Sequence, residues 1–155
     1  MKLTNCGNEK FNGIDDMHDV FEGIFCTAGE DPQHDGKYVN HFEVEDDKVA
    51  ESGDWDLDYN KAIETLKNEY PDFDEDQLDV LYDCTAKDDA DTDHSSLSDE
   101  FEYLEDFEAR FKFQNLRGKI AADQGFDAIC MNDEYGTSYF LPYGSNAKYL
   151  GSSHR

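Results

Sequence analysis

A chain of 155 residues is about one domain long, enough to bury an apolar core without disulfides or metals to hold it together. Its formal charge of −25, from 38 acidic side chains against 13 Lys and Arg, repels phosphate backbones and argues against direct contact with nucleic acid. Eleven Phe and nine Tyr exclude a disordered acidic tail, which would not carry so much aromatic surface.

Met1–Asn5 is short and partly apolar and reaches Gly7, which predicts a first strand running into a loop. Gly23-Ile24-Phe25-Cys26-Thr27-Ala28, bounded by Gly29, reads as a buried strand. Over Lys37–Val44, Tyr38, Asn40, Phe42 and Val44 alternate with Val39, His41 and Glu43, the period of two that a strand imposes on its two faces. A turn at Asp46-Asp47 precedes a short strand over Lys48–Glu51.

Tyr59, Ala62, Ile63, Leu66 and Tyr70 recur at helical spacing between Asp58 and Tyr70, where Pro71 forces a break. Asp74-x-x-Gln77 then resembles a capping box ahead of a helix that lines Leu78, Leu81 and Tyr82 along one face. The polar stretch Lys87–Glu100 reads as a surface loop. A longer helix follows, from about Asp99 to Gln124, carrying Phe101, Leu104, Phe107, Phe111, Leu116 and Ile120 before Gly125 caps it. Phe126–Met131, the turn-like Asp133-Glu134-Tyr135-Gly136 and Thr137–Leu141 predict a strand, a connection and a strand that close the chain onto the sheet. Gly151 to Arg155 read as a polar tail. The expected class is α+β, in one domain over residues 1–150, with about three helices.

Cys6, Cys26, Cys84 and Cys130 are far apart and show neither a C-x-x-C pair nor paired His spacing, so they are expected to be buried thiols rather than a zinc or redox site. MKLTNCGNEKF has no apolar leader segment and no run approaches about 18 apolar residues. No membrane span and a reducing, cytoplasmic setting are therefore expected. Asp89, Asp91, Asp93, Ser95 and Glu100 fall at positions 1, 3, 5, 7 and 12 of a calcium-binding helix–loop–helix. Against that pattern, His94 stands where the loop needs Gly and Ser96 where an apolar residue is usual, and an acidic chain produces such spacings by chance. A solvated loop is the favoured reading, with no metal.

Leu3–Gly7, Gly23–Thr27, Tyr38–Ser52 and Gly125–Ile129 leading into Asp133-Glu134-Tyr135-Gly136-Thr137-Ser138-Tyr139 resemble, in order, the motifs of the ADP-ribosyltransferase superfamily. The chain is most similar to the small phage-borne anti-CRISPR ADP-ribosyltransferases that act on a type I-F surveillance complex. The resemblance implies strand layers around a central cleft that grips NAD as substrate. It also implies a carboxylate near the last strand pair, first Asp133 and then Glu134, that assists departure of nicotinamide by stabilising positive charge on the ribose. Asn5, Cys6 and Gly7 on the first strand, Phe25 and Thr27 on the second, and Tyr38 are the implied NAD-binding positions. Phe25 would offer a stacking ring and Thr27 a hydroxyl, although an aromatic in such a strand is core more often than not. Asn5 stands where many members carry His or Arg, so it offers hydrogen bonds but no charge; His41 is the one histidine in a predicted strand.

Two functions follow. As an enzyme, the chain would transfer ADP-ribose to a basic, nucleic-acid-binding protein or ribonucleoprotein complex in the host cytoplasm, its acidity aiding the encounter. As a binding protein on the same scaffold, it would inhibit without catalysis by presenting nucleic-acid-like charge.

Overall fold

The computed structural model describes residues 1–7, 23–29, 36–51, 56–87, 92–97, 101, 106–133 and 136–155, without the side chains of residues 106, 107, 132 and 133. The strands are β1 (Lys2–Gly7), β2 (Gly23–Ala28), β3 (Tyr38–Glu43), β4 (Val49–Ala50), β5 (Ala128–Asp133), β6 (Gly136–Pro142) and β7 (Lys148–His154). Among the described residues the helices are α1 (Tyr59–Glu69), α2 (Glu75–Thr85) and α3 (Asp106–Asp123), with a short 3₁₀ turn at Asp46–Lys48. The α+β class expected from the sequence holds.

The seven strands form one curled sheet in the order β4-β5-β6-β2-β1-β3-β7. Strand β2 joins the halves, pairing with β1 on one side and β6 on the other, so the expected strand layers are continuous. Strand β4 lies parallel to β5, with Val49 opposite Ala128 and Ala50 opposite Ile129. Parallel neighbours require a long crossover, and α1, α2 and α3 lie between them in the chain.

The first two helices begin at side-chain caps, and all three pack through specific contacts. The Asp58 carboxylate accepts from Lys61 N–H at 2.9 Å and starts α1, whose Ala62, Thr65 and Leu66 are buried. The predicted capping box of α2 is complete: Asp74 accepts from Gln77 N–H at 2.8 Å, and Gln77 Oε1 accepts from Asp74 N–H at 3.0 Å. Gln124, just past α3, clasps the start of α1 by accepting from Asp58 N–H at 2.8 Å and donating to Asp58 O at 3.2 Å. Gly118 lets α3 approach the sheet, since a Cβ there would sit 2.3 Å from the buried Phe140 ring. Arg117 is 2% exposed, and its Nε donates to the Thr85 carbonyl at the end of α2, where a cation also meets the negative pole of the helix.

Strand alternation sorts the core onto two faces. Phe25, Ile129, Met131 and Phe140 pack with the helices. Leu3, Ile24, Cys26, Phe42, Val44, Ala128 and Leu141 form a second cluster from the intervening positions, on the opposite face.

Three expectations need correction. The supposed tail at Gly151 to Arg155 continues β7 along β3, with Asn40 opposite Ser152 and Tyr38 opposite His154, and Arg155 N–H still donates to Lys37 O at 2.8 Å. The polar sequence is held by ladder hydrogen bonds and cross-strand pairs rather than by apolar burial. Of the four cysteines, Cys26 and Cys84 are buried, but Cys6 and Cys130 are only partly covered; none is in a disulfide. The short strand near Lys48–Glu51 narrows to Val49–Ala50, because Asp46–Lys48 wind into the 3₁₀ turn.

Candidate functional site

The six implied NAD-binding positions divide between the two faces of the sheet. Thr4 and Thr27 are opposite one another, and their hydroxyls lie 3.3 Å apart on the face that carries Phe25 and Phe140. Cys6 has the parity of Thr4 and belongs to this group; its sulfur lies 3.7 Å from Arg155 Nη1. Asn5 and Gly7 fall on the other face with Leu3, and Gly7 pairs with Tyr38, whose ring meets His154 edge-on at 5.3 Å. A strand cannot point neighbouring residues the same way, so Asn5-Cys6-Gly7 cannot act as one patch.

Asn5 is engaged within the sheet. Its Nδ2 donates to Phe25 O at 2.8 Å, and its Oδ1 accepts from Asn40 Nδ2 at 3.4 Å. Asn40, fully buried, accepts in turn from the Ser152 hydroxyl, which itself accepts a hydrogen bond from Tyr149 OH. This amide–hydroxyl chain runs from β2 across β1 and β3 to β7. A bulge makes it possible: His41 pairs with Gly151 but Phe42 pairs with Tyr149, leaving Leu150 as an extra residue and Gly151 at φ +118°. In a regular strand residues 149 and 152 would face opposite sides; the extra residue, turned through a glycine conformation, brings both to one side.

The helix-covered face carries a second polar row. Thr4 (2% exposed), Thr27 (5%) and Ser138 (3%) come from the adjacent strands β1, β2 and β6. Ser138 has the parity of Phe140, which pairs with Phe25, so its hydroxyl lies on the side of Thr27. Ser138 Oγ is the buried side-chain oxygen left without a hydrogen-bond partner among the described residues. Sequence reading missed it, because alternation marks which residues are buried but not which hydroxyls lack partners.

Strand β6 also connects the row to the implied carboxylates. Met131 pairs with Ser138, and the backbone of Asp133 closes β5 opposite Gly136. Glu134 lies outside the described residues, as do Asp89, Asp91 and Glu100 of the calcium-like spacing. Asp93 is exposed, and its carboxylate accepts from Ser95 N–H at 2.9 Å, a local turn contact that holds it below the usual carboxylate range. His41 pairs with Thr4, and its Nε2 lies 3.1 Å from Ser153 Oγ. Lys2, Thr4, His41 and Leu150 line a depression of about 480 Å³ at the first end of the hydroxyl row. No helix among the described residues is long and apolar enough to cross a membrane.

No curated protein matches the chain. A solved crystal structure of an anti-CRISPR protein shares its fold, with a TM-score of 0.58 over 97% of this chain and 95% of the other, at 20% identity. Residues 10–148, from before β2 to the start of β7, match the model of the anti-CRISPR type I-F ADP-ribosyltransferase AcrIF11, and the chain belongs to that family.

Proposed function

We propose that the protein is an NAD-dependent mono-ADP-ribosyltransferase that modifies and inactivates a nucleic-acid-binding protein of a type I-F CRISPR complex. The observation that carries the reading is the adjacency of β2, β6 and β5 inside a chain of this family: the Phe25–Thr27 segment lies beside the strand whose hairpin partner ends at Asp133. The residues present fit NAD, because the helix-covered face offers hydroxyls to a ribose or carboxamide and an aromatic ring, and one of those hydroxyls has no partner among the described residues.

Bound there, NAD loses nicotinamide as the bond from ribose C1′ to the ring nitrogen breaks, and an acceptor side chain of the target forms the new bond to C1′ and gives up its proton. Asp133, with Glu134 as the second choice, stabilises the positive charge that builds on the ribose. Phe25, Thr27 and Cys6 contact NAD from the helix-covered face. Asn5, Gly7 and Tyr38 lie on the opposite face, where Asn5 is engaged with Phe25 O and Asn40, so they do not meet the same NAD. The β1 residues precede the family match and carry less of the proposal than Phe25, Thr27 and Asp133.

Calorimetry with NAD, run with a nicotinamide-release assay, tests the reading. The wild type should bind at micromolar to low-millimolar NAD, and the Asp133→Ala, Glu134→Ala double variant should release no nicotinamide. No heat and no release from the wild type, alone or with its target, would remove the enzyme reading.

The charge of −25 favours a second reading, in which the same scaffold inhibits as an acidic decoy without catalysis. Glu43, Glu45, Asp46, Asp47 and Asp127 around one surface groove carry such a field, against Lys48 and Lys148. Inhibition by a decoy would fall steeply with added salt and with Lys substitutions at these acids, and would be indifferent to Asp133→Ala.

A further inference from the structure

We infer that Ser138 is an NAD-binding residue, its hydroxyl held in reserve for the substrate; this rests on the NAD reading above and deepens it. Four observations converge. Ser138 is 3% exposed, so water does not readily satisfy its hydroxyl, and no described residue does. Buried hydroxyls are nearly always hydrogen-bonded, and leaving one unpaired costs stability unless a bound state repays the cost. It belongs to a row with Thr4 and Thr27, which already pair with each other at 3.3 Å, so among the described residues the row ends in an unpaired hydroxyl rather than in a closed network. Its place is between the second strand and the hairpin end: Met131 is its partner on β5, and Asp133 lies one ladder step of the same parity farther on, opposite Gly136.

The boundary of burial falls at the same point. Gly136 and Thr137 are exposed and Ser138 is buried, so Ser138 is the first covered hydroxyl inward from the hairpin end. A ribose hydroxyl or carboxamide laid between Thr27 and the Asp133 end of β5 would meet Ser138 Oγ. The chemistry needed is a single neutral hydrogen bond, which a serine supplies as donor or acceptor.

A structural serine and a substrate-binding serine respond oppositely to Ser138→Ala. A hydroxyl with a partner in the free protein stabilises the fold, and its removal lowers Tm. A hydroxyl without one does not, and its removal leaves Tm unchanged or raises it. The experiment is thermal unfolding of wild type and Ser138→Ala without ligand, together with NAD calorimetry on both. The expected result is an unchanged or higher Tm and NAD binding weakened about ten-fold. A Tm lowered by several degrees, or equal NAD affinity in the two proteins, overturns the assignment while leaving the NAD reading intact. Absence of NAD binding by the wild type overturns both.

Discussion

The two faces of the sheet carry polar rows that cross the same strands and end differently. On one, the chain from Phe25 O through Asn5, Asn40 and Ser152 to Tyr149 is linked at every step. On the other, Thr4 and Thr27 share one hydrogen bond and Ser138 has none among the described residues. On the NAD reading proposed above, the difference separates a row that holds the sheet together from one that a ligand completes. A linked network rigidifies, and a partly linked one is unfavourable until something completes it.

The largest effect should come from the hairpin end that the second row approaches. Replacing Asp133 and Glu134 by Ala should lower nicotinamide release at least about 100-fold while leaving thermal unfolding nearly unchanged. Activity surviving in that variant would detach catalysis from this face.

Next is the linked row. Asn40→Ala removes the fully buried amide that links Asn5 Oδ1 to the Ser152 hydroxyl, both part-buried, and should cost about 2–3 kcal/mol, roughly 5–10 °C in Tm. Chemical denaturation should give the same loss. Ser138→Ala should do the reverse, sparing Tm and weakening NAD about ten-fold. If the two variants exchanged these signatures, the contrast between the faces would be wrong.

Much of the fold was legible from sequence where local chemistry decides it. The strand Gly23–Ala28 and the Asp74–Gln77 capping box stand as read, because an apolar run between glycines and a cap three residues before its partner are local signals. Strand β7 was not legible: Gly151-Ser152-Ser153-His154 has little apolar character, and its place depends on β3 and on a bulge that no pattern within the segment announces. The division of Asn5, Cys6 and Gly7 between faces was implicit in the alternation rule, whereas the pairing of Asn5 with Asn40 needed the register of β1 on β3. Arg117 within the helical core has the same cause, since its carbonyl partner Thr85 is 32 residues away.

The smallest effect sharpens the comparison at its apolar end. Cys26, on the face of the linked row, is fully enclosed, and burial pushes its thiol far above the ordinary value of 9.0. Above about pH 9 an unfolded chain ionises this cysteine while the folded protein keeps it protonated. The unfolded state therefore binds fewer protons, and stability should decline with pH by at most about 1.4 kcal/mol per unit. Unfolding measured from pH 8 to 10 should show the decline in wild type and a shallower one in Cys26→Ala.

The central claim is that this acidic chain acts by consuming NAD, and intact-mass spectrometry of a purified type I-F CRISPR complex incubated with the protein tests it most directly. The account predicts that one subunit gains the mass of a single ADP-ribose when NAD is present, and gains none with the Asp133→Ala, Glu134→Ala variant. Full inhibition of the complex with no subunit changed in mass, in the absence of NAD, would contradict it.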